Sequence, residues 1–123
     1  MKKLILVLFF NLLFSCKEEN KKEQLYPETI QTPIQLGQEI FEGKGNCVAC
    51  HLVNKKVIGP SIQEMAKIYK DKKGSIIDFL KNDAKPIVDP SQYDVMKTNF
   101  IITKSMSDEE LKAIEAYIYY NIE

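Results

Sequence analysis

Cys47-Val48-Ala49-Cys50-His51 places two thiols three residues apart, with an imidazole directly behind them, in a chain whose only histidine is His51. On a helical turn residues i and i+3 share a face, so both sulfurs can reach one flat partner while His51 turns its ring toward that partner's centre. Cys-x-x-Cys-His is the attachment signature of a c-type haem, with two thioethers to the vinyl groups and the histidine as an axial iron ligand. Other chemistries of these residues lack parts. A structural zinc site needs four ligands, and beyond the motif the chain offers only Cys16 and no further histidine. A thioredoxin-like Cys-x-x-Cys needs a βαβ setting, and the sequence has no convincing alternating strand. A disulfide between positions 47 and 50 would leave His51 without a role.

Outward from the motif the chain is punctuated by helix starts. Thr32-Pro33-Ile34-Gln35 sets a capping hydroxyl, a proline at the first helical position and a glutamine three after the cap. The helix it predicts carries Leu36, Ile40 and Phe41 and stops at Gly43 and Gly45. Ser61-Ile62-Gln63-Glu64 is a second capping box, opening a helix with Ile62, Met65, Ala66, Ile68 and Tyr69 on one side and Gly74 at its end. Ser75-Ile76-Ile77-Asp78 starts a short helix that must finish before Pro86. Ser107-Asp108-Glu109-Glu110 is the clearest start, and Leu111, Ile114, Tyr117 and Ile118 follow at helical spacing. With no hairpin signal, the expected fold is a small all-α domain of four to five short helices over residues 32–123. About 90 residues broken by prolines make a thin core, which an apolar prosthetic group would fill.

Ahead of that domain, Met1-Lys2-Lys3 and the apolar run Leu4–Phe14 read as a signal peptide over residues 1–15, too short for the ~20 apolar residues of a spanning helix. Leu13-Phe14-Ser15-Cys16 resembles the lipobox of bacterial lipoproteins, which implies lipidation of Cys16 and a protein held on the periplasmic face of a bacterial membrane. Residues 16–31 are polar and mixed in charge, a flexible tether that spans about 50 Å when extended. Loss of residues 1–15 removes Lys2 and Lys3 and no acid, leaving a formal charge of −2. No basic patch of the kind nucleic acid requires is present, and nucleic acid is set aside as a partner.

The stretch from Leu36 to Ile122 resembles class I c-type cytochromes. The resemblance implies the small cytochrome c fold around one covalent haem c, with an N-terminal helix crossing the C-terminal one. Gly37 and Phe41 fill the family's glycine and aromatic positions on the first helix, with Ile114 and Tyr117 facing them. Gly59-Pro60 matches the position at which the family's proline carbonyl accepts the Nδ1–H of the haem-ligating histidine, a bond that fixes the ring and raises its basicity. The second axial ligand is a methionine in most members. Met65 lies in an apolar helical stripe, where methionine usually fills core. Met106 stands five residues before Leu111, the spacing of a hydrophobic staple. Met96, in an irregular loop at positions 90–96, is the expected ligand, Met106 is the alternative, and a site without a protein sixth ligand stays open. The expected role is that of a monomeric, membrane-anchored one-electron carrier serving redox partner proteins, respiratory complexes or reductases. The competing role is a haem-based ligand sensor or peroxidase-like enzyme.

Overall fold

The computed structural model describes residues 31–122; the expected leader (1–15), Cys16 and, apart from Gln31, the tether (16–31) lie outside the described residues. In chain order the helices are α1 (Pro33–Glu42), α2 (Ile62–Lys72), α3 (Ile76–Leu80), α4 (Tyr93–Met96), α5 (Phe100–Thr103) and α6 (Asp108–Tyr120). Short 3-10 turns at Cys47–Ala49, Pro90–Gln92 and Lys97–Asn99 fill the connections. Among the described residues there is no strand, only one isolated bridge between His51 and Lys56. Taking the run from α4 to α5 as one element gives five helical units, the expected all-α class.

The caps explain where the long helices start. The Thr32 hydroxyl accepts the Gln35 N–H at 3.2 Å, and the Gln35 side chain accepts the Thr32 N–H at 2.9 Å. Ser107 and Glu110 make the same reciprocal pair at the start of α6. Ser61 makes only half of the expected box: its hydroxyl accepts from Glu64 N–H at 3.1 Å, and the Glu64 carboxylate does not reach back.

Two expectations along the chain are corrected. The stop of α2 is carried by Lys73, in the left-handed region at φ 51°, and not by Gly74. Gly74 serves clearance instead: a Cβ there would stand 2.6 Å from Ile87 Cδ1 and 3.0 Å from the Tyr69 ring. The segment expected as an irregular loop around Met96 is helical, with 3-10 and α turns succeeding one another from Pro90 to Thr103. Pro90 supplies a first-turn φ, and no glycine or proline interrupts the chain from Ser91 to Met106.

α1 and α6 cross in close contact and form the frame. Gly37 is the reason they can: a Cβ at this position would lie 1.9 Å from the Ala113 carbonyl oxygen and 2.8 Å from Tyr117 Cβ. Phe41 packs on Tyr117 with ring centroids 5.4 Å apart. Leu111, Ile114 and Ile118 bury the inner face of α6 against Ile62, Ala66 and Ile76, each fully buried aliphatic side chain contributing about 1.5–3 kcal/mol. Thr103, fully buried, donates its hydroxyl to Leu80 O at 2.7 Å and so ties α5 to α3.

Candidate haem site

The attachment turn is built backbone-first. Asn46 takes a left-handed φ of 50°, and the chain then closes one 3-10 turn, with Cys50 N–H and His51 N–H both donating to Cys47 O at 3.1 and 3.0 Å. In such a turn i and i+3 eclipse, which brings Cys47 and Cys50 to one edge. Both are half-buried free thiols that line the same cavity. Burial pushes the Cys47 thiol up to about 11. A thiol held protonated at neutral pH is a poor redox nucleophile, so Cys47 is not poised to start thiol–disulfide exchange.

His51 is 9% exposed, and its Nδ1 lies 2.7 Å from the Pro60 carbonyl oxygen. A carbonyl can only accept, so Nδ1 carries the proton and Nε2 keeps its lone pair for a metal. Burial lowers the pKa of His51 from its ordinary value, opposed by the Pro60 bond, and the ring is neutral as ligation requires. Gly59, which sequence reasoning valued only as part of a dipeptide, has its own task. A Cβ there would fall 2.4 Å from His51 Cε1. The Gly59 backbone, fixed by its N–H to Cys50 O at 3.0 Å, lies against the imidazole and leaves no room for a side chain.

These groups open onto a cavity of about 260 Å³ whose walls come from all parts of the domain. Phe41 and Ile114 reach it from the crossing helices, Phe79 from α3, and Met65 and Met96 bring one thioether each. Among the described residues Asp89 is the only carboxylate in its lining. Burial raises the Tyr69 phenol well above the usual range, as an apolar wall does. Two thiols on one edge, a neutral imidazole with its second nitrogen free and an apolar cavity beside them fit a covalently held haem. A family model for cytochrome c matches residues 34–120. The chain belongs to the cytochrome c family. Similar proteins are cytochrome c-552 of Nitrosomonas europaea, 52% identical over 29 residues covering 24% of this chain and 28% of that protein, and cytochrome c-551 of Pseudomonas denitrificans, 48% identical over 33 residues covering 27% and 39%. The matched stretches span less than two fifths of either relative. The cofactor of this cytochrome is haem c, and Cys47, Cys50 and His51 carry the motif that holds it.

The structure sorts the three methionines of the domain. Met106 does not line the cavity; it is 9% exposed and packs in the core with Leu111, as a staple should. Met65, expected as plain core filling, is half-buried and reaches the cavity. It sits on α2, which is bound to the His51 wall by the Pro60 carbonyl and by Ile62 N–H to Leu52 O and Gln63 N–H to Val53 O at 2.9 and 3.0 Å. Met96 comes from a separate element, α4. Where a methionine lining the cavity ligates the iron, Met106→Ala should leave the sulfur-to-iron charge-transfer band of the ferric protein in place, and it should cost about 2–3 kcal/mol of stability, read by denaturant unfolding. Loss of the band in that variant would assign the ligand to Met106.

Proposed function

We propose that this cytochrome is a one-electron carrier, with Met96 as the sixth ligand, held at the periplasmic face of a bacterial membrane by a lipid on Cys16. The observation that supports the reading is one cavity lined both by His51 and, from a separate element, by Met96. Bound haem supplies a one-electron ferric–ferrous couple, and soft thioether ligation favours the ferrous side. The protein's part is to hold: Pro60 fixes the imidazole, Gly59 backs it, and Met96 closes the far position against water, gas and peroxide. With His51 and Met96 both holding the iron, the chain would leave no open position there for a substrate.

Partner choice is read at the surface. Val48, Leu52, Val53, Val57 and Ile58 are between 40% and 52% exposed and cluster around the attachment turn. A small apolar rim beside the haem-bearing turn suits brief docking of redox partner proteins, among them respiratory complexes or reductases. No helix of the described residues is long and apolar enough to cross a membrane, so on this reading membrane residence rests on Cys16. Stable anchoring takes more than one acyl chain, which lipoprotein processing provides. The tether then confines a monomer near membrane-bound donors and acceptors and raises their effective concentration.

Reduced wild-type protein is expected to bind carbon monoxide slowly and weakly at neutral pH. On an electrode it should give one reversible one-electron wave without added current when peroxide is supplied. Fast, tight gas binding would replace the carrier by a ligand sensor, and a peroxide-driven current by a peroxidase-like enzyme. Intact-mass measurement of protein recovered from membranes tests the anchor separately: Cys16 found unmodified would end that part of the proposal and leave the redox role standing.

A further inference from the structure

Resting on Met96 as the sixth ligand, we propose that Asp89 and Asn99 are positioning residues that clamp the two ends of the Met96 segment to the haem-attachment side. No residue from Pro90 to Asn99 is buried in protein, and Gln92, Tyr93, Val95, Met96, Thr98 and Asn99 line the cavity. The segment therefore leans on the cavity, and Met96, only partly buried, is its one side chain packed against the core cluster. Tyr93 does tie it to α3, packing on Phe79 and donating to Asn82 Oδ1 at 2.8 Å. That tie reaches α3 and not the attachment turn, so opening of the segment would be a swing off the cavity about α3.

Two side-chain contacts oppose the swing. At the leading end Asp89 Oδ2 meets Lys56 Nζ at 2.9 Å, and Lys56 is itself paired with His51 through the isolated bridge. At the trailing end Asn99 Nδ2 donates to Gly45 O at 3.2 Å. Gly45 is buried and fixed by its own N–H to Ile40 O at 2.8 Å, two residues before Cys47. The Cys47 thiol also points at that carbonyl, at 3.5 Å. A thioether has no S–H to donate, so after attachment Asn99 is the side-chain donor that remains. One clamp thus runs to the residue paired with the proximal ligand and the other to the approach of the first attachment cysteine. Met96 lies between them.

An ion pair and a single amide hydrogen bond at the surface add little to global stability, but local opening is governed by the few contacts of the segment that opens. The test is therefore a comparison of local and global loss in the haem-loaded protein. In the wild type, the ferric sulfur charge-transfer band should disappear on heating together with the helix signal in circular dichroism. In Asp89→Asn combined with Asn99→Ala the band should vanish well before the helices, and carbon monoxide should bind the reduced protein roughly tenfold faster, the factor that 1.4 kcal/mol of easier opening provides. Each single variant should fall between. Exchanging the pair, Lys56→Asp with Asp89→Lys, should restore slow binding relative to Asp89→Lys alone. Lys81→Gln breaks another ion pair between elements, Lys81–Asp108 at 2.7 Å, and should change neither readout. A double variant whose band is lost only with its helices, at an unchanged gas-binding rate, overturns the clamp alone. A wild type without the band removes the Met96 ligand and the clamp with it.

Discussion

Met96→Ala is expected to abolish the sulfur-to-iron charge-transfer band and to raise the rate of carbon monoxide binding by the reduced protein roughly a hundredfold or more, equivalent to lowering the barrier by about 2.7 kcal/mol. The reasoning starts from what the gas must displace. In the wild type that is a thioether held by the chain at high effective concentration, so a dissociated sulfur rebinds before a dilute gas arrives. Alanine cannot reach the iron, and only water competes. Removing a soft ligand that favours ferrous iron should also lower the reduction potential, by on the order of 0.1 V, and peroxidase turnover should rise from its low wild-type level. Met65→Ala is the decisive companion, because Met65 lines the same cavity. It should keep the band and the slow gas binding while costing about 2 kcal/mol of packing. A band that survives Met96→Ala and is lost in Met65→Ala would move the ligand to α2.

The parts of this fold that were legible in the sequence are those set by neighbours in the chain. Thr32 with Gln35, and Ser107 with Glu110, announce their helices because a capping box needs only residues three apart. The attachment turn is legible for the same reason, since Cys47, Cys50 and His51 lie within five positions. The crossing of α1 and α6 could be anticipated from Gly37 and Phe41 through the resemblance to a family, but Ala113, whose carbonyl receives the approach, has no local mark. Where the sequence misled, a local rule was applied without its surroundings. Gly74 looks like a helix stop, yet Lys73 takes the left-handed turn and Gly74 makes room for Ile87. Positions 90–96 read as an irregular loop, yet Pro90 is the first residue of a helical run through Met96. The clamps were illegible. Lys56 and Asp89 stand 33 positions apart, Asn99 and Gly45 stand 54 apart, and no periodicity links such pairs. They follow from the fold and cannot precede it.

Gly37→Ala should be the most destabilising single-methyl change in the domain. At an exposed helical position the same substitution gains about 1 kcal/mol, because alanine loses less backbone entropy than glycine. At position 37 the sign reverses, since the added Cβ would sit 1.9 Å from the Ala113 carbonyl oxygen and 2.6 Å from its carbon. These are backbone atoms of α6, held by the ladder of that helix, and no side-chain rotation relieves the overlap. α1 and α6 must therefore move apart, which loosens Phe41 against Tyr117 and the wall that Phe41 and Ile114 give to the cavity. Overpacking costs typically 1–3 kcal/mol, and an immovable partner puts this case at about 3 kcal/mol or beyond. For a domain whose whole stability is on the order of 5–10 kcal/mol, that is a large share. The measurement is denaturant unfolding of the haem-loaded protein, with Gln38→Ala as the reference. Gln38 is an exposed neighbour on the same helix whose side chain, among the described residues, bonds only Glu42, and its replacement should stay within about 0.5 kcal/mol. A Gly37→Ala protein as stable as the Gln38→Ala one would mean that the two helices are not pressed together at this point. Close approach of α1 to α6 would then not be what glycine at position 37 provides.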